Sequence, residues 1–422
     1  MSASLTDRTR AVRAGLESDP ETGAVVPPLH LTSTFAFRGF GDKRKYDYSR
    51  SGNPTRDLLA DALSELEGGA GAVVVSTGMA AIALIGNLLP VGARLVVPHD
   101  CYGGSFRLFT AWQKRGEFRV EFVDFGDAAA LAAALTADTA LVWIETPSNP
   151  LLRITDVAAV AARAKSCGAL VVADNTFLSP VWQQPLELGA DIVVHSTTKY
   201  INGHSDVVGG AVVAKTRELA DQLAWWANCT GVTGAPFDSF MTLRGLRTLH
   251  VRLDAHARNA QVLAEWLQAQ RSVKRVYYPG LASHAGHAVA KRQQRGFGAM
   301  ISIEVAGGLD GARAMTEALE LFSLAESLGG VESLVAHPAT MTHAAMEPAA
   351  REAAGLVDGL LRLSIGIEAV EDLRADLAQA AVIIAARGVD TQPPQLGPVG
   401  GKGDAFDLGA APVNSNQHSQ AI

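Results

Sequence analysis

A lysine that follows directly on an apolar run and a group of small hydroxyl residues marks the first place in this chain where chemistry could be done. In Asp191-Ile-Val-Val-His-Ser-Thr-Thr-Lys199-Tyr-Ile-Asn-Gly-His204 the run Ile192 to Val194 reads as a short buried strand. Ser196, Thr198 and Lys199 then emerge together at its carboxyl end, where α/β proteins build their sites. Burying an ammonium is costly unless it is paired or given up, and a lysine carried as a Schiff base on pyridoxal phosphate (PLP) escapes that cost. Ser196 and Thr198 would hold the phosphate of such a cofactor. On its own, S-x-x-K more often marks a lysine that caps a loop, so its companions decide.

One companion lies a strand upstream, where Ala169-Leu-Val-Val-Ala-Asp174 ends a second apolar run in an aspartate. Two neighbouring parallel strands would bring Asp174 and Lys199 to one rim. A carboxylate there keeps a pyridine nitrogen protonated, which lets the ring act as an electron sink. The competing reading is an aspartate that N-caps the next element. A second companion is Ala72-Val-Val-Val-Ser-Thr-Gly78-Met79, a strand and a tight turn leading into an apolar helix. The backbone N–H groups of Gly78 and Met79 at that helix start would meet a phosphate, with the helix dipole behind them. Neither G-x-G-x-x-G nor G-x-x-x-x-G-K-[ST] is complete in the chain, so dinucleotide and nucleoside-triphosphate readings lose their usual support. Farther on, Arg362 interrupts the apolar frame Leu361, Leu363, Ile365. It either faces solvent from an alternating strand or needs an anionic partner.

The elements that must hold these residues follow from the patterning. Residues 1–54 mix Gly, Pro, Thr and charge without a sustained period and read as an extended arm. From Thr55 a helix runs through Leu58, Leu59, Leu63 and Leu66 to Gly68-Gly69, after which strand and helix patterns alternate to about residue 215. The fold class is therefore α/β, a mainly parallel sheet between helices, with 55–250 as the large domain. A helix-rich stretch from Arg217 to Gln270 leads into segments around Met300 and Arg362 that alternate like antiparallel strands. A smaller α+β domain is expected over 251–388. Residues 389–422, rich in Gln, Pro, Gly, Asn and Ser, read as a disordered tail.

Composition excludes several classes. A 48% hydrophobic and 19% charged chain of 422 residues is long enough for two domains with a large core. A net charge of -7 without a basic stripe argues against nucleic-acid binding. Cys101, Cys167 and Cys229 form no C-x-x-C pair, so disulfides and structural zinc are not expected, and a reducing cytoplasm is. The amino-terminal residues lack an apolar signal core, and no charge-free 18-residue apolar run predicts a membrane span. His284 and His287 sit in an Ala/Ser/Gly stretch that reads as a solvated loop, and no metal site is expected.

Taken together, the landmarks resemble the Cys/Met-metabolism family of PLP-dependent enzymes, fold type I. They are Tyr48-Ser-Arg50-Ser-Gly-Asn-Pro-Thr-Arg56, Ser76-Thr-Gly-Met79, His99-Asp-Cys-Tyr102-Gly-Gly-Ser-Phe-Arg107, Glu145-Thr-Pro-Ser-Asn149-Pro, Asp174-Asn-Thr-Phe, Ser196-Thr-Thr-Lys199, Ala325-Glu326-Ser327-Leu-Gly-Gly and Leu361-Arg362-Leu-Ser-Ile-Gly-Ile-Glu368. They run in family order from about residue 10 to about 388. The resemblance implies a seven-stranded-type sheet and pyridoxal 5'-phosphate as cofactor. Lys199 becomes the Schiff-base lysine and the base that moves protons between substrate carbons. Asp174 pairs with the ring nitrogen, Asn149 contacts the ring hydroxyl, and Tyr102 stacks on the ring. Gly78, Met79, Ser196 and Thr198 bind the phosphate. Tyr48 and Arg50 reach the phosphate of a neighbouring subunit, which makes a dimer the minimum and a homotetramer, a dimer of dimers, the expectation.

For substrate, the resemblance implies that Arg362 and Ser327 grip the α-carboxylate. Glu326 resembles the acidic residue of members that act at the γ-carbon, and Gly104 stands where methionine γ-lyases carry a cysteine. Arg107, with Arg44 as a second contact, would meet the distal carboxylate of a succinyl leaving group, and Trp225-Trp226-Ala-Asn228 points the same way. The implied reaction is γ-replacement of O-succinyl-L-homoserine by L-cysteine, giving L-cystathionine and succinate. Without cysteine, γ-elimination to 2-oxobutanoate and ammonia is expected, and a γ-eliminating lyase is the alternative. A non-catalytic PLP-binding protein is disfavoured because Lys199, Asp174, Tyr102 and Arg362 are all present.

Overall fold

In the computed structural model, which describes residues 5–342, 351 and 354–386, the apolar runs become the strands of one central sheet. They are β1 (Gly71–Val75), β2 (Arg94–Pro98), β3 (Arg119–Val123), β4 (Thr139–Glu145), β5 (Leu170–Asp174), β6 (Ile192–His195) and β7 (Gly210–Ala214). Their order is β1-β7-β6-β5-β4-β2-β3, and β7 runs antiparallel to both β1 and β6 while the rest are parallel. The runs are continuous rather than alternating because both faces are covered. Val142, Val171 and Val193 lie in one core, while Trp143, Val172 and Val194 lie in the other. Register pairs Glu145 with Asp174 and Asp174 with Val194, so the acidic strand ends and the start of the lysine loop share one edge.

Local signals set the helix ends. The helix Pro54–Glu67 starts at Asn53, whose side chain accepts from the N–H groups of Thr55 and Arg56, and ends at Gly68 with φ 71°. Thr77 caps the helix Gly78–Gly86 by accepting from Ala80 N.

A second sheet comprises β8 (Val273–Tyr277), β9 (Met300–Val305), β10 (Ser323–Leu324), β11 (Leu334–Ala336) and β12 (Leu360–Ser364), in the order β10-β11-β12-β9-β8. β9 pairs antiparallel with β8 and β12, which places Arg362 on a central strand. A single helix, Leu249–Gln268, runs through the expected junction at residue 250, and its Leu249 and Leu253 already belong to the core of the second sheet.

Two expectations change. The stretch before residue 54 is not extended throughout, because Asp7–Arg13 is helical and Ala11 packs into the large-sheet core. Arg8 pairs with Asp254 and Asp7 with Arg295, so charge as well as burial ties this helix down. His284 and His287 are half-buried rather than solvated. His287 opens the helix His287–Gln293, stacks on Phe297 and bonds Pro279 O through Nδ1, and burial pushes His284 down to about 4. The expected tail at 389–422 lies outside the described residues.

The loop after Lys199 is held by a buried cation from the long helix. Arg252 donates to the carbonyls of Tyr200 (2.7 Å), Ile201 (3.2 Å) and Gly245 (2.7 Å). Gly203 has φ 72°, and a Cβ there would lie 2.0 Å from Arg252 Nη1. Replacing Arg252 with Met strands these carbonyls. We predict a loss of about 3 kcal/mol in urea unfolding, the order expected for removing several charge-assisted bonds.

Candidate active site

At the carboxyl edge of the large sheet, β6 ends in His195 and the chain turns so that Lys199 projects toward the second domain. Lys199 Nζ donates to Ser327 Oγ at 2.7 Å, a bond that spans the two domains. Burial, and next the nearby charge of Arg362, lower the lysine to about 8, while Glu326 opposes them. A substantial neutral fraction near neutral pH is what a nucleophilic or proton-carrying amine requires. Ser327 sits at φ 87°, a conformation non-glycine residues seldom adopt, and one found where function holds it.

Arg362 is only 3% exposed. Its Nη1 donates to Asn149 Oδ1 at 3.0 Å and its Nη2 to Ser327 O at 2.9 Å, both neutral acceptors. Burial lowers it to about 10, with Glu326 the leading opposing charge. A guanidinium so placed, with no carboxylate bonded to it among the described residues, is suited to receive one from a ligand. Thus Asn149, expected at a ring hydroxyl, also orients Arg362.

Tyr102 caps the helix Gly103–Lys114, and its N–H donates to Glu145 Oε2 at 2.8 Å. Its ring remains 39% exposed at the mouth of the site. Burial raises its hydroxyl, and the charges acting on it are those of Arg107, Glu326, Glu145 and Arg362. Arg107 and Glu326, both exposed, therefore border the same space. Asp174 accepts from Thr176 N at 3.0 Å. Burial raises its carboxyl, while Thr176 and the charge of His195 hold it down.

The residues present fit PLP. A Cβ on Gly78 would lie 2.8 Å from Ser196 Cβ, so the start of the helix Gly78–Gly86 abuts the strand end as a phosphate cradle requires. Asn149 and Lys199 are linked through Arg362 and Ser327, and Asp174 ends the strand beside β6. Thr198 behaves differently from a free phosphate ligand, because its hydroxyl donates to Gly209 O (3.2 Å) and accepts from Gly209 N (3.0 Å). Arg50 donates to Asn228 Oδ1 and lies over the Tyr48 ring, and Arg44 donates to Ala36 O.

Sequence reasoning gave no role to Glu145, to Asp100 with its Arg153 partner at 2.9 Å, or to the fully buried His195–Glu67 pair at 2.6 Å. A signal was available for Glu145, which closes the apolar run of β4 with an acid just as Asp174 closes β5.

The sequence model of the family described as Cys/Met metabolism PLP-dependent enzyme matches residues 8–382. Cystathionine gamma-synthase of Escherichia coli (strain K12) is 58% identical over 370 residues, covering 87% of this chain and 96% of that protein. Cystathionine beta-lyase of Coxiella burnetii (strain RSA 493 / Nine Mile phase I) is 51% identical, covering 88% and 97%. Among solved structures, cystathionine gamma synthase from Xanthomonas oryzae pv. oryzae in complex with cystathionine superposes with a TM-score of 0.90 at 61% identity. The match covers 91% of this chain and 100% of that one.

A lysine-selective NMR titration of the cofactor-free protein should contain one resonance with a midpoint near 8 that is missing from Lys199→Arg. A Lys199 signal titrating at the ordinary lysine value would contradict the environment described.

Proposed function

This chain belongs to the Cys/Met metabolism family of PLP-dependent enzymes, and we propose that it catalyses γ-replacement of O-succinyl-L-homoserine by L-cysteine, giving L-cystathionine and succinate. The single observation that carries this beyond the family is Arg107. It borders Tyr102 together with Glu326 and Arg362, which gives the site a second cation for a substrate with a second carboxylate. Similarity at 58% to a cystathionine gamma-synthase, above the 51% to a beta-lyase, supports the same choice.

PLP, when bound, supplies an electron sink for negative charge developing on substrate carbons. The rest falls to residues of this chain. Arg362, already aimed by Asn149 and Ser327, takes the α-carboxylate and fixes the substrate's orientation. Lys199 Nζ, lowered to about 8, accepts the α-proton and serves again for the proton at the β-carbon. Ser327 positions that amine through the 2.7 Å bond. Arg107 holds the succinyl carboxylate until the leaving group departs, with Arg44 as its second contact. The Glu326 carboxylate favours the charged forms of Lys199 and Arg362, opposing the effect of burial on both.

The active unit in this reading is a homotetramer built as a dimer of dimers, in which Tyr48 and Arg50 meet the phosphate of a neighbouring site. Val25 (70%), Leu31 (68%) and Phe40 (111%) stand exposed along the arm, a run of apolar surface that supports coverage by a second copy. The free state of Cys101, Cys167 and Cys229 supports a reducing, cytoplasmic setting. Among the described residues no helix is long and apolar enough to cross a membrane.

Supplied with O-succinyl-L-homoserine and L-cysteine, the protein should yield cystathionine as its main product, and 2-oxobutanoate when cysteine is withheld. Dominant 2-oxobutanoate in the presence of cysteine, or cleavage of added cystathionine, would make it a lyase instead. Arg107→Ala should lower the preference for the succinyl over the acetyl ester by about fivefold, the worth of a partly exposed ion pair. An unchanged ratio would remove succinate recognition from Arg107.

A further inference from the structure

Three acidic side chains stand at the carboxyl ends of three adjacent strands. Asp174 ends β5, Glu145 ends β4, and Asp100 follows the end of β2 by two residues, in the sheet order β5-β4-β2. Glu145 and Asp174 are register partners, so their side chains leave the sheet on the same face. The outer two acids have partners that favour the anion. Arg153 Nη1 donates to Asp100 at 2.9 Å, Ser148 Oγ donates to the same carboxylate at 2.8 Å, and Asp174 takes the Thr176 N–H with His195 nearby.

Among the described residues the middle acid has no such cation. Glu145 is 6% exposed, and the charges that face it are the carboxylates of Asp174 and Asp100. Only backbone N–H groups, from Tyr102 at 2.8 Å and from Asn149, favour its anion. Like charges on neighbouring strands cannot all ionise in a buried edge, and the proton settles on the member with the least compensation. Burial first, and Asp174 second, push Glu145 well above the usual carboxylate range.

We propose that Glu145 is a positioning residue that acts as a neutral carboxylic acid. By carrying the proton of the row it leaves Asp174 as the anion facing the cofactor's ring nitrogen, and by accepting the Tyr102 N–H it fixes the stacking ring. This inference rests on the PLP reading for its consequence, while the protonation of Glu145 belongs to the folded chain with or without cofactor.

The test uses the full-length protein at pH 7. The infrared difference between wild type and Glu145→Gln, taken cofactor-free, should show a protonated carboxylic C=O band present only in wild type. Should Glu145→Gln fail to fold, NMR of wild-type protein labelled at the glutamate carboxyl carbon asks the same question, and one resonance should keep the shift of the neutral acid. With PLP added, Glu145→Ala should weaken cofactor binding about tenfold, the loss of one buried hydrogen bond with its unpaired partner, and alter the cofactor's absorbance. Glu145→Gln, which keeps a neutral acceptor, should restore both. Absence of the carboxylic signal, or Glu145→Gln binding PLP as weakly as Glu145→Ala, would overturn the proposal. Failure of the wild-type protein to take up PLP would instead strike the functional reading and leave the infrared result standing.

Discussion

A guanidinium buried without a carboxylate in contact is the constraint around which the two domains are arranged. Arg362 enters from the central strand region of the second sheet and, among the described residues, bonds only the neutral oxygens of Asn149 and Ser327. Leaving a cation in such a place is tolerable only if an anion arrives to complete it. Its charge also lowers Lys199, which reaches from the first sheet to Ser327 on the second. Burial first, and the positive charge on the other domain second, thus lower the proton affinity of the amine, and the bond through Ser327 makes their relative placement a condition of the site.

Acidic groups gather at the strand ends, with Glu326 of the second domain facing them across the site. Asp100, Glu145 and Asp174 line the carboxyl edge of β2, β4 and β5, while the cations come from the loop after β6 and from β12. A zwitterionic ligand would find its anionic group drawn toward Arg362 and a protonated ring nitrogen drawn toward Asp174. Such separation of charge across a partly enclosed cleft orients a ligand before any reaction begins. The antiparallel strand β7 contributes by bringing Gly210 against the turn that starts the helix Gly78–Gly86. A Cβ at Gly210 would lie 2.1 Å from Thr77 O, so a bare backbone there lets the cradle close on Ser196.

Much of this was legible in the chain because each acid or amine closes an apolar run, and the end of a parallel strand is where a site must form. Lys199 and Asp174 stand out that way, whereas Arg362 stands out as a charge inside the apolar frame of β12. What local pattern could not supply was sheet order. The pairing of Glu145 with Asp174 follows from β4 and β5 being neighbours, and their shared face follows from register, neither of which is written near Glu145. The same holds for Thr198, whose hydroxyl meets Gly209 because the chain returns along β7, and for Arg252, which finds the lysine loop across 52 residues of sequence. The helix Asp7–Arg13 escaped because a single buried residue, Ala11, gives too weak a period to detect.

Borohydride reduction of the PLP-loaded protein, followed by peptide mass mapping, bears most directly on the claim that Lys199 is held as the cofactor's attachment point. The account predicts one pyridoxyl group per chain, on the peptide containing Lys199, and none in Lys199→Ala. A label on another lysine, or equal labelling of the Lys199→Ala protein, would contradict it.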